Sequence, residues 1–336
     1  MALAHKMPVL DVRSPSEFKH AHIPGAVSFA LFTDAERAKI GILYKQESRE
    51  KAIKTGLEYF GHNMVRMVED AEKIAAEAKS GKEICVHCWR GGMRSAAVAW
   101  LLDLYGFKVY LLAGGYKKYR AWALAQFTRQ WPLLILGGYT GSGKTSVLKQ
   151  LEKEGHLMID LEELAGHRGS AFGNLDQHEQ PGQEQFENLL AGELARLENK
   201  AGPVWVEGES QRIGTVNIPN GFFATMRASP LVFLDIPFEK RLDQIVEDYG
   251  KFNKEKMISA IVRIKKRLGG LETKNAVNFL LEDDIRGCFA ILLKYYDRLY
   301  LKSTLAPGEE LRQITYVTTD TTDAKMNLKK LTTYAG

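Results

Sequence analysis

Short apolar runs alternate with longer stretches of helical spacing along this chain, and that alternation is typical of a parallel α/β sheet. In the first third of the chain the predicted strands lie at 8–12, 22–29, 82–87 and 108–112. Ligands of such sheets bind beyond the carboxyl ends of the strands. The loops that follow these four runs are therefore the first places to examine for chemistry.

The helical stretches of this part are less regular than its strands. Helical spacing extends over 47–78, with interruptions expected near Gly56 and Gly61. Glycine has a low helix propensity, which is the reason for expecting breaks there. A second, amphipathic helix is predicted to begin at Arg94.

A domain boundary is expected at 127–131, which divides the chain into domains 1–128 and 129–336. The second domain repeats the alternation of strands and helices. Its predicted strands are 132–138, 156–160, 203–207, 231–235 and 313–317. Its predicted helices are 144–152, 183–199, 251–268 and a helical region over 279–301. The expected fold class is α/β in both domains, with a helical C-terminal part in the second.

Composition indicates the cellular compartment in which we expect the protein to act. The chain has 336 residues, of which 45% are hydrophobic, and a net charge of +5. This mildly basic balance is compatible with a nucleic-acid partner. Three cysteines provide no disulfide framework and favour a reducing compartment. No apolar run approaches the length of a membrane span, so we expect a cytoplasmic protein with no membrane partner.

The loop after the 82–87 strand contains the first candidate site. It runs from Cys88 through Arg90 and two glycines to Arg94 and Ser95, where a helix should begin. Successive backbone N–H groups and a helix N-terminus would then point at one spot, where an anion could bind beside the two arginines. The same field would lower the pKa of Cys88 and keep it as a thiolate nucleophile. An isolated cysteine is more often a buried apolar residue, but this spacing favours a reactive one.

Cys85 and His87 precede this cysteine in the strand. We interpret Cys85 as a core residue rather than a resolving thiol, because cysteine is among the most buried residue types. Zinc is not predicted, since a second cysteine pair or suitably spaced histidines are missing. Strand alternation places His87 on the opposite face from Cys88, and we assign it no catalytic role.

The second candidate site is a full G-x4-G-K-T motif between a predicted strand and a predicted helix. Its glycines allow backbone N–H groups to wrap a phosphate, while Lys144 neutralises phosphate oxygens and Thr145 can ligate Mg²⁺. The motif specifies a polyphosphate, but it does not by itself specify ATP. The predicted phosphate-binding residues are Gly138, Gly141, Ser142, Gly143, Lys144, Thr145 and Ser146.

Carboxylates at the ends of the neighbouring strands are candidates for holding Mg²⁺ or positioning water. They are Asp160, Glu207, Glu209 and Asp235. We prefer Glu207 or Glu209 to Asp235, because a strand-end aspartate shortly before Pro237 often caps the next turn.

Two further segments are candidates for contacting a substrate. A Gly-rich polar loop lies beyond the 156–160 strand, where a substrate would bind, and it contains His167, Arg168, Gly169 and Ser170. In the basic segment 251–268 the apolar residues fall on one helical face and most cations on the other. A solvated face is the simpler interpretation. The alternative is a surface for RNA phosphates, formed by Arg263, Lys265, Lys266 and Arg267.

Residues 1–125 resemble a rhodanese-like domain. The matching pieces are Asp11-Val-Arg13, Glu17-Phe, His22-Ile-Pro-Gly25-Ala, the Cys88 loop and Leu112-Ala-Gly114-Gly115. The resemblance implies that Cys88 carries sulfur or selenium as a persulfide or perselenide. The usual sulfurtransferase loop has four residues between cysteine and arginine, whereas five separate Cys88 from Arg94. That longer spacing is also the signature of cysteine-dependent phosphatases, so phosphatase or arsenate chemistry stays open for this domain alone.

The whole chain resembles the bacterial tRNA 2-selenouridine synthase family, in which a rhodanese-like domain is joined to a P-loop domain. Segments in both halves carry this resemblance. They include Glu36-Arg37, Tyr44-Lys45-Gln46, the Cys88 loop, the P-loop, Asp160-Leu-Glu162, the 167–173 loop, 186–191, Glu209-Ser210 and 264–269.

The family resemblance implies two reactions on the wobble base of tRNA. A geranyl group from geranyl diphosphate is first added to the sulfur of 2-thiouridine, and selenium from selenophosphate then replaces the S-geranyl group. Cys88 would take the selenium with Arg90 and Arg94 holding the anion, and the P-loop would hold the diphosphate. No tightly bound cofactor is implied, although Mg²⁺ is compatible with the site. Gly56 matches a family glycine and would help to shape the geranyl site.

Two other classes of function stay open from the residues. One is a rhodanese-type sulfurtransferase fused to an ATP-dependent small-molecule kinase, which would not bind tRNA in a salt-dependent way. The other is a regulatory module that senses ligands through both loops and shows no turnover with a selenium donor.

Overall fold

The structure is a computed structural model, and it describes residues 7–167, 179–250, 253–304 and 312–332. The chain divides into two units. The first comprises Met1–Gln126 with Glu187–Gly192, and the second comprises Phe127–Phe186 with Glu193–Gly336.

The first unit contains a four-stranded parallel sheet in the order β2-β1-β3-β4. Its strands are β1 Val9–Asp11, β2 Ala26–Ser28, β3 Glu83–His87 and β4 Lys108–Leu111. The helices that accompany them are α1 Pro15–His20, α2 Asp34–Gln46, α3 Arg49–Glu77, α4 Met93–Leu104 and α5 Gly115–Gln126. Apolar side chains of β1, β3, α3 and α4 form one core, including Leu10, Val86, Met67 and Val98.

The second unit contains a five-stranded parallel sheet and a two-stranded antiparallel one. Its strands are β5 Leu133–Gly138, β6 Leu157–Ile159, β7 Val204–Glu207, β8 Arg212–Ile213, β9 Val216–Asn217, β10 Leu231–Asp235 and β11 Ile314–Thr318. The larger sheet has the order β11-β10-β5-β7-β6. Strand β5 is therefore central, and burial on both faces explains its continuous apolar run.

The remaining helices complete the chain. They are α6 Lys144–Lys153, α7 Leu161–Ala165, α8 Gln183–Leu197, α9 Asn220–Ala228, α10 Phe238–Tyr249, α11 Lys254–Arg263, α12 Lys265–Leu268, α13 Gly270–Leu281, α14 Ile285–Thr304 and α15 Ala324–Thr332. Helices α10 to α14 enclose their own apolar cluster, which confirms the expected helical C-terminal part. Among the described residues, none of the helices combines the length and apolar character needed to cross a membrane.

The expected interruptions of the long helix are wrong. Residues Arg49–Glu77 form one continuous helix, and neither Gly56 nor Gly61 departs from right-handed geometry. A glycine inside a helix costs about 0.5–1 kcal/mol relative to alanine. Burying an apolar side chain such as Phe60 or Met67 contributes about 1.5–3 kcal/mol. Packing along this helix therefore outweighs the two weak positions.

The basic segment is also broken where one helix was expected. Helix α11 ends at Arg263, Ile264 adopts a non-helical conformation, and α12 covers only Lys265–Leu268. Residues 251 and 252 lie outside the described part of the chain. The predicted apolar face is confirmed, because Met257, Ile261 and Leu268 are buried.

Candidate functional site

The Cys88 loop begins where β3 ends and closes where α4 begins. Strand β3 is flanked by β1 and β4, so the loop lies at the carboxyl edge of the middle of the sheet. Gly91 has a φ of +67°, a value that favours glycine, and Gly92 is the N-cap of α4. The loop turns back at these glycines, and the first turn of α4 starts beside the cysteine.

The sulfur of Cys88 lies inside a ring of hydrogen-bond donors. Its Sγ is 3.3 Å from the Ser95 hydroxyl, and Cys88 is only 3% exposed. Burial alone would raise the pKa of Cys88, but hydrogen bonds from the Ser95 hydroxyl and from the backbone N–H groups of Ser95, Arg90 and Gly92 lower it overall. The loop therefore stabilises a thiolate, as its glycines and helix start predict.

The glycine pair after β4 supports this loop from behind. The backbone N–H of Tyr116 donates to the Cys88 carbonyl at 2.9 Å, and that of Lys117 donates to the Trp89 carbonyl at 2.9 Å. A Cβ on Gly115 would lie 2.3 Å from the Cys88 oxygen. Only glycine permits this approach, which holds the loop carbonyls outward and leaves its N–H groups to the sulfur.

We expect Gly115→Ala to loosen the loop and weaken the thiolate. Gly115 has a φ of +58°, and a Cβ there would also lie 2.6 Å from the Gly91 nitrogen. Left-handed geometry alone costs about 1–2 kcal/mol for an L-residue, and the clash adds to that. Urea unfolding should show the loss, and the pH profile of Cys88 alkylation should move to higher pH.

Gly81→Ala is the matched control for this substitution. Gly81 has a φ of +65°, but a Cβ added there would have no atom within 4 Å. It bears the left-handed cost without the clash, so its alkylation profile should match the unmodified protein. An unchanged profile in Gly115→Ala as well would contradict the supporting role of this glycine.

The arginines of the first site have different surroundings. Arg94 is partly buried and donates to the Glu17 carboxylate at 2.8 Å. Burial alone would raise the pKa of Glu17. The hydrogen bond and the charge of Arg94, together with weaker contacts, lower it overall. Arg90 is exposed. The structure thus brings Arg94 to α1 through a contact that the sequence did not predict. The roles of Arg90 and Arg94 in anion binding stay predictions.

Asp11 and Arg13 form a buried ion pair under the same loop. The Arg13 guanidinium donates to both Asp11 oxygens and to the Ala21 carbonyl at 2.7 Å, and it lies 3.9 Å from the centre of the Tyr116 ring. A buried pair with its donors satisfied is a structural brace. The ion pair fixes Tyr116, whose backbone N–H donates to the Cys88 carbonyl.

Cys85 and His87 do not join the thiolate. Both lie in β3, but Cys85 is only partly buried and is not a member of the core cluster, so its interpretation as a core residue is wrong. Its partial burial still raises the pKa of its thiol. His87 is fully buried, with Nε2 3.8 Å from Asp11, and burial lowers the pKa of the imidazole despite that carboxylate. A neutral His87 fits the expectation that it takes no part in the chemistry.

The P-loop connects the central strand β5 to helix α6. Gly138, Gly141 and Gly143 all have positive φ, and a Cβ on Gly141 would lie 2.7 Å from the Arg241 carbonyl. Arg241 donates to the Thr140 carbonyl at 3.1 Å and forms a two-point ion pair with Asp297. The loop is therefore held from outside by a buried arginine that the sequence did not single out.

Two polar side chains of the P-loop are withdrawn from solvent, and of these only Lys144 lines the cavity around the loop. The Ser142 hydroxyl is buried and has no hydrogen-bond partner within the described ranges. The Lys144 ammonium donates to the Gly138 carbonyl at 3.0 Å and lies 3.8 Å from Glu207. Burial alone would lower the pKa of Lys144, but the nearby carboxylates, led by Glu207, raise it overall. The lysine is held charged inside the site.

Three carboxylates face the P-loop. Oxygens of Glu162, Glu207 and Glu209 all lie within 4.8 Å of one another, and Thr145 donates to Glu207 at 3.4 Å. Burial, followed by the charge of Glu162, raises the pKa of Glu207 and raises that of Glu209 to about 7. Glu162 was missed as a candidate, although it lies two residues after the strand-end Asp160.

The other predicted carboxylates are placed differently. The Asp160 carboxylate accepts a hydrogen bond from the Glu163 backbone at 2.8 Å and caps α7, although it also lines the cavity. Asp235 is exposed at the end of β10. Glu207 and Glu209 line the cavity and Asp235 does not, but which carboxylates hold Mg²⁺ stays a prediction.

A cavity of about 1530 Å³ opens around the P-loop in the second unit. Its lining includes charged side chains, among them the three glutamates and several cations, and also apolar side chains. The apolar side chains include Phe223, Met226, Leu231, Tyr295 and Leu299. A ligand of this cavity would combine an anionic group with an apolar portion.

The remaining predicted residues divide between the cavity and other places. His167, Arg263 and Arg267 line the cavity, whereas Lys265 and Lys266 do not. All four of these lysines and arginines are exposed. Arg168, Gly169 and Ser170 lie outside the described residues. Gly56 lies on α3 in the first unit, where a Cβ would be 3.5 Å from Phe32. Its role in a geranyl site stays a prediction.

These features define a two-part protein with a cysteine loop of the rhodanese kind and a separate P-loop unit. Residues 2–121 match the rhodanese-like domain family. Residues 131–317 match the family described as tRNA 2-selenouridine synthase AAA domain. The chain belongs to the tRNA 2-selenouridine synthase family.

Individual relatives agree with this assignment. The tRNA 2-selenouridine synthase of Pseudomonas putida is 32% identical over 91% of this chain and 90% of that protein. The proteins of the same name from Bdellovibrio bacteriovorus and Nitrosomonas europaea are 40% and 39% identical over 72% of this chain. The matched region spans only 64% and 63% of the length of those two relatives.

Proposed function

We propose that this protein converts 2-thiouridine at the tRNA wobble position to 2-selenouridine through S-geranyl-2-thiouridine, using geranyl diphosphate and selenophosphate. The relatives are named tRNA 2-selenouridine synthase, which describes the formation of 2-selenouridine in tRNA. The observation that carries the proposal is the presence of two different anion sites in one chain. One is a thiolate that accepts hydrogen bonds from backbone N–H groups, and the other is a P-loop in a cavity that is also lined by apolar side chains. A tRNA substrate fits a protein acting in the cytoplasm.

The P-loop cavity suits a prenyl diphosphate. Lys144 and N–H groups of the loop would hold the diphosphate, while Phe223 and Met226 would contact the hydrocarbon. Ser142 does not line the cavity, and its part in phosphate binding stays a prediction. The thiouridine sulfur attacks C1 of the geranyl group, a carbon–sulfur bond forms, and the carbon–oxygen bond breaks. Its electron pair leaves with diphosphate, whose growing charge the lysine stabilises. The base loses its N3 proton to water.

The three carboxylates fit a divalent cation beside the diphosphate. The carboxylate oxygens of the three residues lie within 4.8 Å of one another, and the Thr145 hydroxyl lies beside Glu207; the three are Glu162, Glu207 and Glu209. Mg²⁺ prefers such oxygen ligands. When bound, Mg²⁺ would neutralise diphosphate charge. Lys144 alone does not balance three carboxylates.

Electron counting favours phosphorus over selenium as the atom of selenophosphate that Cys88 attacks. Attack on selenium would form a perselenide, as the rhodanese resemblance implies, but the electron pair of the phosphorus–selenium bond would then leave on trivalent phosphorus. Attack on phosphorus forms a sulfur–phosphorus bond and sends that pair to selenium as hydroselenide. Water then cleaves the sulfur–phosphorus bond to give phosphate. Attack on selenium balances only with phosphite as the product, and release of phosphate by that route would need a two-electron oxidant. Attack on phosphorus releases phosphate with no oxidant.

The loop around Cys88 fits attack at phosphorus. A tetrahedral phosphoryl group brings three oxygens, and N–H groups pointing at the sulfur are the donors it needs. Ser95 stabilises the thiolate when it leaves in the hydrolysis step. Hydroselenide adds to C2 of the alkylated base, a carbon–selenium bond forms, and geranyl thiolate departs. Prior alkylation makes sulfur the better leaving group.

Reconstitution tests this function directly. Purified protein with 2-thiouridine tRNA and geranyl diphosphate should yield S-geranyl-2-thiouridine by nucleoside mass spectrometry. Later addition of selenophosphate should yield 2-selenouridine. ATP in place of geranyl diphosphate should produce no modified base. Phosphorylation of a small molecule by ATP, with no change in the tRNA, would instead favour the fused sulfurtransferase and kinase.

Mg²⁺ should stabilise the protein more at alkaline than at acidic pH. The pKa of Glu209 is raised from 4.5 to about 7, so between these values the folded protein binds a proton that the unfolded chain does not. Stability falls as the pH rises through that window, and a cation offsets the charge that appears. We expect Mg²⁺ to raise the Tm by a few degrees at about pH 8 and scarcely at about pH 5.5.

Glu209→Gln should remove most of this pH-dependent Mg²⁺ effect. Glu163→Gln is the matched control, because Glu163 also lines the cavity but its side chain is 70% exposed. An equal Mg²⁺ response in Glu209→Gln and the unmodified protein would contradict the cation site.

A further inference from the structure

The face of the first unit that surrounds the Cys88 thiolate is rich in cations. Segments 88–95 and 112–122 contain five lysines and arginines and neither aspartate nor glutamate. Two of the five are ion-paired within the first unit, as Arg94–Glu17 and Arg120–Glu187. Across the described ranges the other three are exposed and form no ion pair; they are Arg90, Lys117 and Lys118. Positive charge that the protein does not compensate therefore lies beside the cysteine loop.

Lys117 and Lys118 lie directly against this loop, in the first turn of α5. The Lys117 backbone N–H donates to the Trp89 carbonyl at 2.9 Å. A Cβ on Gly114 would lie 2.8 Å from the Cβ and Cδ of Lys118, so the stem of that lysine runs across the glycine. The backbone N–H groups of residues 115–118 all donate to carbonyls of the chain. An anion bound here would therefore be held by the side-chain ammonium groups rather than by the start of the helix.

Trp89 places an aromatic surface among these cations. Its ring packs against the buried Tyr116, with the ring centres 5.7 Å apart, yet the tryptophan is 38% exposed. The Arg13 guanidinium lies 3.9 Å from the centre of the Tyr116 ring, so the ring against which Trp89 packs is itself fixed. An exposed indole that is held in this way offers a flat face on which another planar ring can stack.

We propose that Trp89, Lys117 and Lys118 bind unpaired nucleotides of the RNA substrate at the Cys88 loop, with a base stacked on the indole and backbone phosphates on the lysines. The inference rests on the proposed function, in which the alkylated base must meet hydroselenide released at Cys88. A surface that combines an aromatic ring with cations matches the bases and phosphates of single-stranded nucleic acid. A hydrocarbon alone would leave the lysines without counterions, so charge complementarity favours RNA as the occupant.

Equilibrium binding of tRNA that carries S-geranyl-2-thiouridine, measured across a salt series, tests this surface. Lys117→Gln and Lys118→Gln should each reduce the slope of log affinity against log salt by about 1. Trp89→Ala should weaken binding about tenfold and leave the slope unchanged, because stacking releases no counterion. Lys54→Gln and Trp100→Ala are the controls, because both residues are exposed but lie outside the two segments, on α3 and α4.

Kinetics of the selenation step separate RNA binding from packing of the loop. With the same tRNA and selenophosphate, Trp89→Ala should raise the KM for tRNA about tenfold. Trp89→Phe keeps an aromatic ring and should recover most of that loss. The pH profile of Cys88 alkylation should stay unchanged in both variants. A shifted alkylation profile with unchanged tRNA affinity would assign Trp89 to loop packing and overturn the inference.

Failure of this inference is distinguishable from failure of the proposed function. The unmodified protein could form 2-selenouridine while the Trp89, Lys117 and Lys118 variants match the controls in affinity and salt slope. That result would overturn the inference alone. Absence of both tRNA binding and conversion by the unmodified protein would overturn the inference together with the proposed function.

Discussion

Cys88→Ala is expected to stop selenium transfer while geranyl addition continues. Loss of a nucleophile lowers a rate by roughly a thousandfold or more, whereas the P-loop unit keeps its own cavity and cations. Transfer RNA incubated with this variant, geranyl diphosphate and selenophosphate should contain S-geranyl-2-thiouridine without 2-selenouridine. Nucleoside mass spectrometry measures both products in one sample.

The matched control is Cys85→Ala, three residues earlier. Cys85 lies within β3, where burial raises the pKa of its thiol and leaves it a poor nucleophile. This variant should produce 2-selenouridine normally. Equal loss in both variants would show that the cysteines act in packing, and normal selenation by Cys88→Ala would remove the thiolate from the mechanism.

Radiolabelled selenophosphate distinguishes the two atoms that Cys88 could attack. Attack on phosphorus predicts that phosphorus label stays on the quenched protein, and that Ser95→Ala increases it because the thiolate leaves less readily. Attack on selenium predicts retained selenium label that thiols discharge. Selenium label on a protein that still makes 2-selenouridine would refute the phosphoryl step while leaving the overall function standing.

The sequence predicted the two loops well because their chemistry is local. The Cys88 and P-loop motifs each combine a strand end, glycines and a helix start within about a dozen residues. Backbone geometry of that kind depends on neighbours in the chain. The fold class followed for the same reason, from runs of apolar residues whose length and spacing are visible in one dimension.

The supports of both loops could not be predicted, because they come from distant parts of the chain. Arg94 meets Glu17 across 77 positions, and Arg241 meets the Thr140 carbonyl across 101. Nothing in the local pattern around either arginine indicates these partners. Glu162 was overlooked for a different reason, since a glutamate in the first turn of a helix is ordinary.

Residues in the basic segment show where local pattern and tertiary structure diverge. The helical face of cations suggested one surface, but the break at Ile264 separates its members. All four side chains are exposed, but only Arg263 and Arg267 line the cavity. Charge periodicity identifies a polar face, but the bend that decides which cations meet a ligand arises from packing among α11 to α13.

Lys144→Met is expected to lower geranyl addition by about a hundredfold or more, because the departing diphosphate loses its buried cation. The variant should bind tRNA with unchanged affinity. Lys153→Ala is the control, since Lys153 is exposed at the end of the same helix.

A melting curve is needed beside the assay, because Glu207 would lose the ammonium 3.8 Å away. Lys144→Arg keeps that charge but misplaces it, so it should fold normally and still transfer geranyl slowly. Unimpaired geranylation in both Lys144 variants would remove the P-loop from prenyl transfer.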